Sequence, residues 1–399
     1  MNHLLLCALT LTFGQGKGEI ELLGEASLPG TASDLSGMKG KLKDGTPADR
    51  LGGLGSGIAY SGTGSRYLLI SDRGPKDGAV PYPCRFHALD ITITPGARQP
   101  VVARLTATTL LTDEKGRHLN GAQDDLEMRY DPEAIRVGPT GTVFLSDEYG
   151  PDVSEFDAKG KRLRRLPVPE RFRPEKPAST PDKEMPPRNN RGRQPNRGLE
   201  GLAISPDGKK LYAILQSPLI QDGGLSKEGK RAGLNCRILE IDTESLKTRE
   251  LVYPLTSSGN GVCEILAVNE SQFLVLERDS HSGKDAKAKR VYLIDISDAT
   301  DVSKVDALPS GKLPAEVKPV SKKLFLDLLD PKWGLAGKDL PEKIEGLAFG
   351  PSLRDGRIVL LVTADNDFIA ERPLRIFAFA ISRPALPGYK PQAFKKADK

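Results

Sequence analysis

One short pattern occurs five times along the 399-residue chain: a small or acidic residue opens an apolar strand, a Gly, Pro or Asp turn follows, and a second apolar strand ends in acid. The copies open at Ser56-Gly57-Ile58-Ala59, Glu133-Ala134-Ile135, Glu200-Gly201-Leu202-Ala203, Glu264-Ile265-Leu266-Ala267 and Glu345-Gly346-Leu347-Ala348. Their second strands end at Asp72, at Asp147-Glu148, at Gln216, at Glu277 and Asp279, and at Asp365 and Asp367. A third strand starts at Arg85, Arg237, Arg290 and Arg375, with Asp152 in that place in the second copy. A fourth is visible over 101–110, 162–168 and 248–255. Four antiparallel strands recurring every ~65–80 residues are the signature of propeller blades.

The last copy has no fourth strand of its own. The segment 20–28 (IELLGEASL) can supply it and close the ring by joining both ends of the chain in one blade. The expected fold is therefore all-β: a single propeller of five four-stranded antiparallel blades closed by an N-terminal strand. A sixth blade is possible if a degenerate copy hides in 171–198 or 301–342. With 41 Gly and 31 Pro the chain is rich in turn formers, as many short strands require. A short helix is expected in 324–337, a polar hairpin tip in 281–289, and a loose, peripheral loop in 171–198.

Leu4 to Phe13 is an apolar run of signal-peptide length, too short to span a bilayer, and no later stretch approaches the ~18 residues a span needs. The expected organisation is an export signal over 1–18, the propeller over 19–385 and a basic tail over 386–399, giving a periplasmic or secreted monomer. Cys84, Cys236 and Cys263 would remain after cleavage. They form no Cys-x-x-Cys pair, which argues against zinc-ribbon or thioredoxin chemistry. Residues 159–197 carry 13 Lys or Arg against 4 Asp or Glu, whereas the whole chain is only +5. A mildly acidic body with one basic, Pro-rich insertion does not suit a nucleic-acid binder.

Strand geometry places the repeated polar residues. The start of the innermost strand, the end of the second and the start of the third lie at one end of each blade. Glu133, Glu200, Glu264 and Glu345 are thus expected to ring the channel mouth, with Ser56 completing the circle. Carboxylates held this close need compensation. A hard cation such as Ca2+, neighbouring arginines, or backbone N–H donors in a structural latch can each supply it. Asp72-Arg73-Gly74-Pro75 and Ser146-Asp147-Glu148-Tyr149-Gly150-Pro151 share one loop design, an acid followed by a Gly-Pro turn, and place Arg73 and Tyr149 over the mouth. Glu277-Arg278-Asp279 is a similar charged corner. The chain lacks a Gly-x-Ser-x-Gly elbow, a P-loop and a His-Glu-x-x-His pair, and it holds four His. Carboxylate and metal chemistry is what it can offer.

Asp131-Pro132-Glu133-Ala134-Ile135, the 146–151 loop, Asn196-Arg197-Gly198-Leu199-Glu200-Gly201-Leu202-Ala203 and Lys343-Ile344-Glu345-Gly346-Leu347-Ala348 together resemble the phytase-like family described as "esterase-like activity of phytase", over about 48–380. The resemblance implies exported propellers with phosphoesterase or esterase-like activity. It also implies channel carboxylates holding Ca2+ and basic residues gripping phosphate. On that basis Glu133, Glu200, Glu264 and Glu345 are expected to be catalytic and, with Asp72 and Asp147, to ligate a divalent cation. Arg73, Arg237, Arg290 and Tyr149 are expected to bind a small anionic ester. Ser56 and Gln216 stand where further acids would be expected, which leaves fewer ligands. A non-catalytic ligand- or protein-binding propeller and a sugar-lactonase-like enzyme are the alternatives.

Overall fold

A computed structural model describes residues 19–122 and 124–395. The expected export signal over 1–18, with Cys7, and the last four residues lie outside the described residues. Short apolar strands and tight Gly-containing turns generate five four-stranded antiparallel sheets. The first blade is β2 (Leu54–Tyr60), β3 (Arg66–Ser71), β4 (Arg85–Ile93) and β5 (Val101–Leu110). The second is β6 (Pro132–Val137), β7 (Val143–Asp147), β8 (Asp152–Phe156) and β9 (Arg162–Arg165). The third is β10 (Leu199–Ile204), β11 (Lys210–Leu215), β12 (Asn235–Asp242) and β13 (Thr248–Pro254). The fourth is β14 (Gly261–Ala267), β15 (Gln272–Arg278), β16 (Lys289–Asp295) and β17 (Ser321–Asp327).

The fifth blade joins β18 (Ile344–Gly350), β19 (Ile358–Ala364) and β20 (Leu374–Ile381) to β1 (Ile20–Leu28) at its outer edge. Ring closure by the N-terminal strand therefore holds, with Ile20 opposite Ile381 and Leu28 opposite Leu374. Five is the blade number, because neither 171–198 nor 301–342 adds a sheet. The core lies between blades. Leu274, Leu276 and Val291 of the fourth blade pack on Leu347, Leu360 and Phe379 of the fifth, and Phe273 and Val275 reach Tyr212 and Ile214 of the third. No helix among the described residues is long and apolar enough to cross a membrane.

Two local expectations change. Residues 324–337 hold the end of β17 and a single 3-10 turn at Pro331–Trp333 in place of a helix. The insertion 171–198 is irregular but packed: Phe172, Asn189, Arg193 and Gln194 are buried. Lys176, Lys183 and Arg188 are exposed, but the other basic side chains of the insertion are drawn into the fold. Glu184 pairs with Arg129 and Arg193, Arg193 also donates to the Tyr149 carbonyl, and Arg171 donates to two carbonyls of the 301–342 loop. The C-terminal residues up to 395 strap the far end of the disc. Backbone N–H groups of Lys390, Ala393 and Lys395 donate to Val268, Pro206 and Pro139, while Tyr389 and Phe394 pack on Phe349 and Tyr60. The strap thus touches all five blades.

Candidate functional site at the channel mouth

Each innermost strand carries a β-bulge near its start, and in the second to fifth blades the bulge aims one side chain at the mouth. In the third and fifth blades that residue is Glu200 and Glu345, flanked by the shifted pairs Leu199/Gly201 and Ile344/Gly346. In the fourth blade the shift lies between Val262 and Glu264, so the bulged residue is Cys263. Glu264 instead takes the register place of Gly201 and Gly346. A Cβ on Gly201 would lie 2.8 Å from the Glu264 Cα, so glycine is what lets these two strands approach.

The mouth is a polar cavity of about 160 Å³. Its acidic wall is Glu133, Glu148, Glu200 and Glu345, backed by Asp131. Its basic wall is Arg73, Arg197, Arg231, Arg278 and Lys343. The buried Arg73 guanidinium bonds Asp131, Glu148 at 3.2 Å and Asp77 at 3.1 Å. Arg278 Nη2 donates to Glu345 Oε1 at 2.6 Å. Lys343 Nζ lies 2.8 Å from Asp367, 3.5 Å from Asp365 and 3.6 Å from Asp72, occupying the centre of that acidic trio as its counter-ion.

Compensation is incomplete elsewhere. Glu148 Oε1, Glu200 Oε2 and Asn196 Oδ1 are buried with no hydrogen-bond partner. Burial, then Glu200, Asp131, Glu148 and Glu345, hold the Glu133 carboxyl well above its ordinary range. Glu200 is pushed up by burial, Glu148 and Glu345. Burial raises Asp131 to about 6 against the pull of Arg73. On the other wall, burial, Arg197 and Arg278 lower Arg231 to about 10. Ligand atoms of Asp131, Glu133 and Glu148 lie within 4.8 Å of one another, as do those of Glu200, Cys263 and Glu345. Carboxylates with unpartnered oxygens are the donor set of a hard cation, so the residues present fit Ca2+.

The structure gathers Glu133, Glu200, Glu345 and Arg73 at this cavity, and leaves the other predicted residues outside it. Glu264 is fully buried below the mouth, accepting from the N–H groups of Leu202 and Ile265 and pairing with Arg136 Nη2 at 2.9 Å. A slip of one residue reverses a strand side chain, which is why the sequence alignment of the fourth copy misplaced it. Asp147 caps its turn, accepting from the N–H groups of Asp131, Tyr149 and Gly150. Asp72 belongs to the trio held by Lys343. Tyr149 donates its hydroxyl to the Gly121 carbonyl, with Arg129 over its ring. Arg237 is locked on Asp222 and Glu250, and Arg290 on Asp327. Both stand on third strands, and two strand spacings of ~4.8 Å carry them ~10 Å outward from the axis.

Sequence reasoning missed Cys263, Glu148, Arg197, Arg231, Arg278, Lys343 and Asn196 as site residues. Glu148 and Arg278 sit in the acidic corners already noted, and Arg197 lies just before the strand that carries Glu200. Arg231 lies in a long loop with no local signal.

Residues 49–368 match the phytase-like family described as "Esterase-like activity of phytase", and the chain belongs to that family. It is similar to an uncharacterised secreted protein of Arthroderma benhamiae, 28% identical over 346 residues, which cover 67% of this chain and 64% of that protein. Among solved structures it is similar to a luciferin-regenerating enzyme, with TM-score 0.37 and 12% identity over 86% of this chain and 96% of that one. It is also similar to the calcium-binding protein regucalcin of Agrobacterium tumefaciens, with TM-score 0.36 and 12% identity over 86% and 95% of the two chains. A gluconolactonase of Xanthomonas campestris gives TM-score 0.32 and 11% identity over 82% and 86%.

Proposed function

We propose that this phytase-like family member is an exported hydrolase of phosphate or carboxylic esters, acting with a divalent cation in the mouth cavity. One observation carries the reading: the cavity has two unsatisfied halves. Glu148 and Glu200 present buried oxygens without partners. Opposite them, Arg231 is opposed by Arg197 and Arg278, and among the described residues the side-chain acceptor Arg197 finds is the neutral Gln216 amide oxygen, at 2.7 Å. A cation and an anion together neutralise both halves, which a cation-bound ester anion does in one step of binding.

Asp131, Glu133, Glu148 and Glu200 would hold the cation. When bound, Ca2+ supplies a Lewis acid beside the ester oxygen and lowers the pKa of an attacking water. The chain's own groups do the rest. Arg197 and Arg231 orient the anionic end of the ester through forked hydrogen bonds. Arg73 holds Asp131 and Glu148 in place. Burial and the neighbouring carboxylates let Glu133 keep its proton to unusually high pH while the mouth is empty, and it would release that proton on taking the cation. Below them Arg136 and Glu264 plug the channel, so substrate and product use the mouth alone. Leu4–Phe13 and the secreted relative support export.

Metal analysis of the purified protein, followed by a panel of phosphate and acyl esters, tests this. Added Ca2+ is expected to raise the melting temperature by binding the folded state, and a chelator to lower it and abolish hydrolysis. Indifference to both, with no turnover of any ester, sinks the hydrolase reading and favours a binding propeller.

A further inference from the structure

Cys263 is a thiol standing where the third and fifth blades place Glu200 and Glu345. It is 2% exposed and lines the mouth cavity. We infer that Glu200, Cys263 and Glu345 form a mixed carboxylate–thiolate site for a borderline transition metal of the Zn2+ or Co2+ class. This rests on the reading of the cavity as a cation site and adds its selectivity.

The three side chains each bring a ligand atom within 4.8 Å of the others. Among the described residues Cys263 is a free thiol, Glu200 has an oxygen without a partner and Glu345 has one oxygen with a single long contact. Glu200 is 3% exposed, and its Oε2 is buried without a hydrogen-bond partner. Glu345 gives Oε1 to Arg278, while Oε2 has only the Ser56 hydroxyl at 3.5 Å. The nearby Asn196 Oδ1 is a further unpartnered acceptor, on a residue held at φ 56°. Positive φ in a non-glycine residue is a cost that persists at functional sites. Cys84 and Cys236, by contrast, are fully buried, and each sulfur rests on backbone carbonyls.

Sulfur decides the metal. Ca2+ takes oxygen ligands and gains nothing from a thiol, so at this trio it finds two carboxylates. Zn2+ and Co2+ bind thiolate and carboxylate alike, and find three ligands here. Binding forms the sulfur–metal bond and breaks the S–H bond, and the proton passes to solvent. Asp131, Glu133 and Glu148 offer only oxygen and, with Glu200 shared between the two groups, remain the place for a hard ion.

The test titrates the full chain with Co2+, Zn2+ and Ca2+, in the native sequence and in Cys263→Ser and Cys263→Ala. Co2+ is expected to produce a sulfur-to-cobalt charge-transfer band in the native protein and in neither variant. Zn2+ affinity should fall in both variants by 10-fold or more, at least the ~10–100-fold that loss of an outer-shell partner costs. The Ca2+ shift of the melting temperature should be unchanged, which also shows that the variants fold. A band that persists in the variants, or Co2+ binding with no band, overturns the thiolate site and leaves the cation reading standing. No response to any of the three ions overturns both.

Discussion

Arg136 and Glu264 plug the channel between its two ends, and the cost of breaking them can be worked out from their contacts. Arg136 is 3% exposed. Its Nη1 donates to the carbonyls of Ile58 at 2.9 Å and Ile135 at 2.6 Å. Its Nη2 donates to the Ile265 carbonyl at 2.9 Å and pairs with Glu264 Oε2. Arg136→Met keeps most of the stem and removes all four interactions. Stranding one partner of a buried pair costs about 3–5 kcal/mol. Protonation limits the charge part of that cost, because burial already lifts Glu264 to about 7 with Arg136 in place. Unpartnered carbonyls add about 1–3 kcal/mol each where water cannot reach them.

A net loss of about 4 kcal/mol is therefore expected. It should be smaller at pH 6 than at pH 8, since the variant's Glu264 must ionise to reach the higher pH. Arg136→Met with Glu264→Leu removes both charges and should recover at least half the loss. Guanidinium chloride unfolding at both pH values reads these differences through Trp333, whose ring packs edge-on against Phe379. A single-variant loss below ~1 kcal/mol, or a double variant whose losses simply add, would refute the coupling.

Four further outcomes follow from the same geometry. In chelator, the protein should lose stability as pH rises from about 5 to 8. Glu133, Glu200 and Asp131 are raised by burial, and Asp72 is pushed to about 7, so the folded state holds the extra protons in that window. Ca2+ should shrink the decline, and a flat or rising profile in melting temperature would contradict the account. Glu200→Gln should blunt the Ca2+ response and lower ester turnover by about 10²-fold, yet melt no lower than the native protein in chelator; a loss of stability larger than the loss of activity would favour a structural latch. Arg231→Met is expected to raise KM by about 10-fold or more for an anionic ester, with little change for a neutral one of the same leaving group. Deleting residues 19–28 bares the edge of β20 and should lower the melting temperature and promote aggregation; an unchanged melting temperature would mean that β1 does not stabilise the ring.

Much of the architecture was legible in the residue order. Strand periodicity, Gly and Asp turns and the recurrence of one motif are local properties, so blade number, strand order and closure by 20–28 could be read without coordinates. Convergence of Glu133, Glu200 and Glu345 followed from the same antiparallel logic. Radial position and register were decided by the tertiary structure. Arg237 and Arg290 recur in phase with the acids, yet a third strand lies too far out to reach the axis. Glu264 aligns by letter with Glu200, yet a bulge gives its place to Cys263. Arg231 and Asn196 reach the mouth from loops whose path is set by packing against other blades. The basic insertion reads as solvated charge, but Arg171, Arg173, Arg191 and Arg193 find carbonyls and carboxylates distant in sequence. Periodicity specifies which way a side chain faces along one strand; which side chains then meet depends on bulges and on contacts between blades, and those arise only when the ring closes.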